Sequence, residues 1–186
     1  MNIIRQKTGW IEVICGSMFS GKTEELIKRI RRAEYARQKI QVFKPVIDNR
    51  YAVDRIVSHS QMSASSINIT KPEEIYEHLE EDTQFIGIDE AQFFDESIVD
   101  VANELARQGK RVVIAGLDQD YMGKPFGPMP QLLAVAEYIT KNLAICMKCG
   151  NPANRTQRLT KDSDTILVGA DEIYEARCRN CHEILE

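Results

Sequence analysis

The stretch Gly16-Ser17-Met18-Phe19-Ser20-Gly21-Lys22-Thr23 constrains this chain more than any other, because it fits G-x-x-x-x-G-K-[ST], the pattern of a phosphate-binding loop. The pattern has a physical origin. A tight turn leaving a strand must aim several backbone N–H groups at phosphate oxygens, and glycine lets the chain bend and approach closely. Lys22 supplies a cation for the β- and γ-phosphates and Thr23 a hydroxyl for Mg²⁺. The following helix adds the positive end of its dipole. The neighbours agree with this reading: Trp10–Cys15 is a short β-branched, apolar run, and Leu26, Ile27, Ile30 and Ala33 recur at helical spacing. Strand, glycine-bounded turn and helix is the context that separates such a loop from an ordinary Gly/Ser turn.

Strand-like runs alternate with helical patterns along the rest of the chain. Ile40–Phe43, Ile67–Ile69, Phe85–Ile88, Arg111–Gly116 and Tyr138–Ile145 read as strands. Helices are expected after Thr70 and around Ile98, Val99, Ala102 and Leu105, and residues 44–66 read as a polar loop without a period. This βαβα order predicts an α/β protein with a P-loop and a mostly parallel sheet flanked by helices. Ligands of such sheets sit at the carboxyl ends of the strands, where Gly16, Lys44, Asp89 and Asp118 fall. The helical period stops at Cys146, so a nucleotide-binding domain over residues 1–145 and a small zinc-ribbon-like domain over 146–186 are expected.

Two further constellations carry chemistry. Asp89-Glu90 ends an apolar strand, as a Walker B carboxylate does beside the nucleotide's Mg²⁺, and the adjacent Glu90 is a candidate base. Cys146-Met147-Lys148-Cys149 and Cys178-Arg179-Asn180-Cys181 are two C-x-x-C knuckles separated by 28 residues. Together they complete a tetrahedral Zn²⁺ site with no open position, so the metal is expected to be structural. His182 is an alternative fourth ligand, although two equal knuckles favour Cys181. Cys15 reads as plain core, and His59 and His78 as surface.

Composition narrows the classes. With 43% hydrophobic and 28% charged residues the chain is globular, and it has neither an apolar run of membrane-spanning length nor a signal-peptide core. Cysteines without a secretion signal point to thiols or metal ligands in a reducing, cytoplasmic compartment. A net charge of −4 argues against a nucleic-acid binder, and the charges of the cysteine-bearing segment nearly balance. The basic residues Lys28, Arg29, Arg31 and Arg32 read as a solvated helix face, offset by Glu24, Glu25 and Glu34. A GTPase switch would need a guanine-reading N-K-x-D, which is absent.

The motifs together resemble the zinc-containing thymidine kinases, the type found in bacteria and in animal cytosol. The resemblance runs from about Gly9 to Cys181. It rests on Gly16–Thr23, on Lys44-Pro45-Val46-Ile47-Asp48-Asn49-Arg50-Tyr51, on Asp89-Glu90-Ala91-Gln92-Phe93-Phe94, on Gly116-Leu117-Asp118, on Lys124-Pro125-Phe126-Gly127, on Val168-Gly169-Ala170-Asp171 with Tyr174, and on the paired knuckles. It implies a recombinase-like α/β fold with a small zinc domain, assembly as a homotetramer, and transfer of a phosphoryl group from ATP to the 5′-hydroxyl of thymidine, with deoxyuridine also accepted. It implies Glu90 as the base. It implies ATP contacts from Gly16, Ser17, Met18, Phe19, Ser20, Gly21, Lys22, Thr23, Arg50, Asp89, Glu90, Ala91 and Gln92. Thr23, Asp48 and Asp89 would associate with Mg²⁺. The thymine would lie in a lasso of Thr165, Ile166, Leu167, Val168 and Gly169, walled by Met18, Phe93, Leu117, Tyr121 and Tyr174. No nucleic acid or membrane partner is implied. Because the lasso lies between the knuckles, loss of zinc is expected to abolish nucleoside binding first and to leave ATP binding largely intact.

Overall fold

Short apolar runs condense into a sheet whose order places the glycine-bounded loop after its first strand. The computed structural model describes residues 8–46, 55–57, 63–160 and 173–184. In chain order these form β1 (Trp10–Cys15), α1 (Lys22–Tyr35), β2 (Ile40–Pro45), β3 (Arg55–Val57), β4 (Ser63–Ser65), β5 (Ile67–Ile69), α2 (Glu74–His78) and β6 (Phe85–Ile88). A 3-10 turn (Ala91–Phe93) then leads to α3 (Ser97–Arg107), β7 (Arg111–Gly116), α4 (Met129–Val135) and β8 (Tyr138–Lys141). The chain closes with the short strands β9 (Ala144–Ile145), β10 (Pro152–Ala153), β11 (Arg155–Arg158) and β12 (Tyr174–Arg177).

The main sheet has six strands in the order β5-β2-β6-β7-β1-β8. Every pairing in it is parallel. Side chains alternate between its faces, as a pleated strand requires. Ile11, Val13 and Cys15 join one core with Ile75, Ile98, Leu105 and Met129 from α2, α3 and α4. Ile14 joins the opposite core with Leu26, Ile27, Ile30 and Ala33 of α1. Both faces are thus covered, which is why the central strands read as continuous apolar runs. Cys15 is core, as its place inside β1 suggests.

Two segments differ from the sequence reading. Within residues 44–66, β3 and β4 pair as an antiparallel ladder, a hairpin too short to show a period. The run Tyr138–Ile145 is not one strand. β8 extends the main sheet beside β1, whereas β9 pairs with β10 in the cysteine-bearing segment. The apolar pattern is continuous across the change of sheet, so periodicity alone does not reveal it.

One ion network fastens α1 to the sheet. Glu12, only 7% exposed on β1, accepts from Trp10 Nε1 at 2.7 Å, Arg29 at 2.6 Å and Arg111 Nε at 2.6 Å. Arg29 also reaches Glu25 at 3.1 Å and Thr140 on β8 at 2.8 Å, so part of the basic helix face is spent internally. Burial pushes the Glu12 carboxyl up, but the hydrogen bonds of Arg111 and Trp10 and the two guanidinium charges outweigh it, and the pKa lies below the usual glutamate value. The stability it contributes is therefore present above pH 4.5, its ordinary value, and is lost as pH falls through the lower folded value. Glu12→Ala leaves two half-buried guanidinium groups without their common acceptor and should destabilise the fold by about 2 kcal/mol, measured by urea unfolding at neutral pH; a loss under about 0.5 kcal/mol would mean the network is dispensable.

Candidate active site

The loop between β1 and α1 is shaped by two glycines. Gly16 has φ 147°, and a Cβ there would lie 2.4 Å from the carbonyl oxygen of Asn142. Gly21 caps α1 in the left-handed region at φ 77°. No other residue type satisfies both the contact and the turn. The loop is lined with polar atoms that lack protein partners: Ser17 is 2% exposed, and the buried hydroxyls of Ser17 and Ser20 have no hydrogen-bond partner. A polar ligand in the loop would give both hydroxyls a partner. Lys22 Nζ donates to Ser17 O at 2.8 Å, folded back over its own loop. Burial depresses its pKa, opposed by the charges of Glu90, Asp89 and Asp118.

The acidic pair meets this loop from the end of β6, one strand removed from β1. Thr23 Oγ1 lies 3.4 Å from Asp89 Oδ2, which brings the loop's hydroxyl and the strand-end carboxylate together. Asp89 is 5% exposed. Burial and then the neighbouring Glu90 charge push its pKa up to about 7, against the pull of the Glu90 N–H, Lys22 and Thr23. Glu90 itself sits at φ 54°, a left-handed conformation rare outside glycine. Its carboxylate accepts from Gln92 Nε2 at 2.5 Å, and Gln92 Oε1 accepts from Leu117 N at 2.9 Å. Gln92, 2% exposed, therefore locks the orientation of Glu90 onto the end of β7. Asp118 joins the same region, 8% exposed and paired with Lys141 at 2.6 Å.

The aromatic residues expected around the base fall into two groups among the described residues. Phe93 packs edge-on against Phe126 at 5.6 Å between ring centroids. Tyr121 and Tyr174 share a residue that sequence reasoning missed. Arg158, 3% exposed on β11, stacks 3.6 Å from the Tyr121 ring centroid and donates to Tyr174 Oη at 2.9 Å. Its only sequence signal is an arginine opposite Tyr174 in the β11–β12 ladder, which the chain order does not display. His182 is not in the cysteine cluster; its Nε2 lies 2.8 Å from the Tyr121 carbonyl, which anchors that turn. Asp48, Arg50 and Thr165–Gly169 lie outside the described residues.

Both knuckles converge. The sulfurs of Cys146, Cys149, Cys178 and Cys181 all lie within 4.8 Å of one another. A tetrahedral zinc with Zn–S bonds of about 2.3 Å needs sulfurs about 3.8 Å apart, so this spacing fits. Protons are unevenly shared among the thiols. Burial opposes ionisation of Cys146, but N–H groups of Cys178, Lys148 and Cys149 outweigh it and draw the pKa down to about 6. Cys181 is pushed up to about 12, chiefly by its hydrogen bonds with Cys149 and Cys178. Four thiolates this close repel one another unless a cation lies between them.

A lysine and an acidic pair at the carboxyl ends of a parallel sheet are the kinds of group that an α/β phosphotransferase uses. A family model described as thymidine kinase matches residues 9–182. The chain belongs to the thymidine kinase family, and its reaction is the phosphorylation of thymidine. Among the described residues no helix is long and apolar enough to cross a membrane.

Asp89 gives the site a pH signature. Its folded pKa of about 7 exceeds the ordinary 3.8, so in the ligand-free protein its ionisation costs stability. That cost is absent below the ordinary value, grows as pH rises, and is complete above about 7. Asp89→Asn should therefore raise the thermal midpoint of the nucleotide- and magnesium-free protein more at pH 8 than at pH 5, with catalysis lost. Equal gains at both pH values would contradict the raised pKa.

Proposed function

We propose that the chain transfers the γ-phosphoryl group of ATP to the 5′-hydroxyl of thymidine, giving dTMP and ADP for nucleotide salvage. The observation that carries this reading is the convergence of Lys22, Thr23, Asp89 and Glu90 at the ends of β1 and β6. The 5′-oxygen forms a bond to the γ-phosphorus as the bond to the β–γ bridging oxygen breaks, and the hydroxyl proton passes to Glu90. Gln92 holds the Glu90 carboxylate in place for that transfer. Lys22 exchanges Ser17 O for phosphate oxygens, and the orphan hydroxyls of Ser17 and Ser20 gain acceptors. Arg50 would add a second cation. Thr23 and Asp89, with Asp48, would hold Mg²⁺, which neutralises phosphate charge. Zinc at the four cysteines would be structural, and the division at residues 145/146 follows from it. The thymine would lie between Met18, Phe93, Leu117, Tyr121, Tyr174 and the lasso, its imide read by backbone groups. A homotetrameric assembly and a cytoplasmic location belong to the same proposal, supported by the family resemblance and by cysteine usage.

Glu90→Gln preserves size and the Gln92 contact but removes the proton acceptor. Its kcat should fall roughly 10²-fold or more, with ATP affinity kept; near-normal turnover would sink the assignment. Lys22→Met should weaken both ATP binding and turnover.

A nucleoside panel tests the substrate. The thymine methyl contributes about 1 kcal/mol of transfer free energy, so deoxyuridine should be a poorer substrate than thymidine. Deoxycytidine should fare far worse, because groups matched to the imide then face the wrong donor and acceptor. ATP consumption indifferent to the nucleoside would point instead to an ATPase.

A further inference from the structure

The ends of the phosphate loop are explained by Gly16 and Gly21, but its tip is not. Phe19 has φ 64°, and for an aromatic residue that left-handed conformation persists only when the surroundings hold it. The surroundings are the cysteine module. Phe19 packs against the small core of Ala144, Cys146, Ala153, Ala176 and Cys178. Beside it, Met18 N donates to Thr156 Oγ1 at 3.1 Å, so this loop N–H is committed to the module. Thr156 is 4% exposed and faces Ala176 in the β11–β12 ladder, two residues before Cys178. Met147 N, next to Cys146, donates to Ala176 O at 3.0 Å and closes the path to the first knuckle. The expectation that metal loss spares ATP binding overlooks these contacts, because sequence distance conceals them.

We propose that Phe19 and Thr156 are positioning residues through which the metal at Cys146, Cys149, Cys178 and Cys181 sets the geometry of the phosphate loop, so that nucleotide binding and metal retention are thermodynamically coupled. The proposal rests on the phosphate-loop reading of Gly16–Thr23. The metal fixes the two knuckles, the knuckles fix Ala176 and Cys178, and these hold the loop tip in the conformation that leaves Ser17, Ser20 and Lys22 facing the ligand. Coupling of binding equilibria is reciprocal, so a nucleotide that needs this conformation must retain the metal as strongly as the metal favours the nucleotide.

The test uses the zinc-loaded full-length chain. Zinc is partitioned at equilibrium between the chain and a competing chromogenic chelator, with and without a saturating magnesium complex of a non-hydrolysable ATP analogue, whose binding to each protein is measured separately by calorimetry. In the wild type the analogue should lower the apparent zinc dissociation constant about 5-fold or more, within the usual range of coupling energies. Phe19→Gly permits the left-handed backbone without the ring, and Thr156→Val removes the acceptor at nearly constant shape. Each should bind zinc stoichiometrically yet lose most of the nucleotide effect on its affinity. An analogue that binds while the zinc affinity of the wild type is unchanged overturns the coupling. So does an undiminished effect in both variants, which would place the route elsewhere. An analogue that does not bind at all overturns the phosphate-loop reading, and the coupling with it.

Discussion

The loop Gly16–Gly21 between β1 and α1 cannot hold its own shape, and much of the molecule is arranged around that constraint. A run with left-handed turns at Phe19 and Gly21 and buried, unpartnered serine hydroxyls gains little from its own contacts. It is held from outside. Asn142 closes over Gly16, and its N–H donates to Cys15 O at 2.8 Å. Asn142 follows β8, the edge strand beside β1, and the chain enters the first knuckle at Cys146. The sheet edge and the cysteine module therefore form one continuous wall behind the loop. That wall places the four-cysteine cluster next to a loop built on a different set of strands.

Charge is the second organising element. Lys22, itself half-buried, feels the charges of Glu90, Asp89 and Asp118, of which Asp89 and Asp118 are buried. One lysine does not stabilise three carboxylates there, and Asp89, the most deeply buried, is raised toward neutrality. Lys141 relieves part of the imbalance by pairing with Asp118. A divalent cation arriving with nucleotide phosphates would reverse it, because positive charge beside Asp89 favours its ionised form.

The aromatic wall follows a different logic. Tyr121 comes from the loop after β7 and Tyr174 from β12, and Arg158 joins them as a buried cation between two rings. His182 and Arg155 tie the Tyr121 turn to the cysteine module at the Tyr121 carbonyl and at Gln119. The module thereby contacts both the phosphate loop and the aromatic wall, so its influence reaches beyond the segment between its knuckles.

Much was legible in the sequence because it is written in local patterns. Gly16–Thr23 declares itself through spacing, since a phosphate cradle demands glycine, lysine and a hydroxyl at fixed offsets. The parallel sheet follows from apolar runs alternating with helical stripes, and the metal site from two equal knuckles. Glu90 stands next to a strand-ending aspartate, and the adjacency that made it a candidate is visible in the chain order. Other features have no local signature. The hydrogen bond of Met18 to Thr156 spans 138 positions, and the Glu12–Arg111 contact spans 99. The left-handed turn of Glu90 and its lock through Gln92 onto Leu117 depend on where β7 lies beside β6. The split of Tyr138–Ile145 between two sheets is likewise a matter of partners, not pattern. The sequence by itself determined which chemical groups are candidates for the site, because each motif is a short-range demand of bonding geometry. Only the tertiary structure decided which groups touch and what charge they carry, because contact and desolvation arise between segments that the chain order keeps apart.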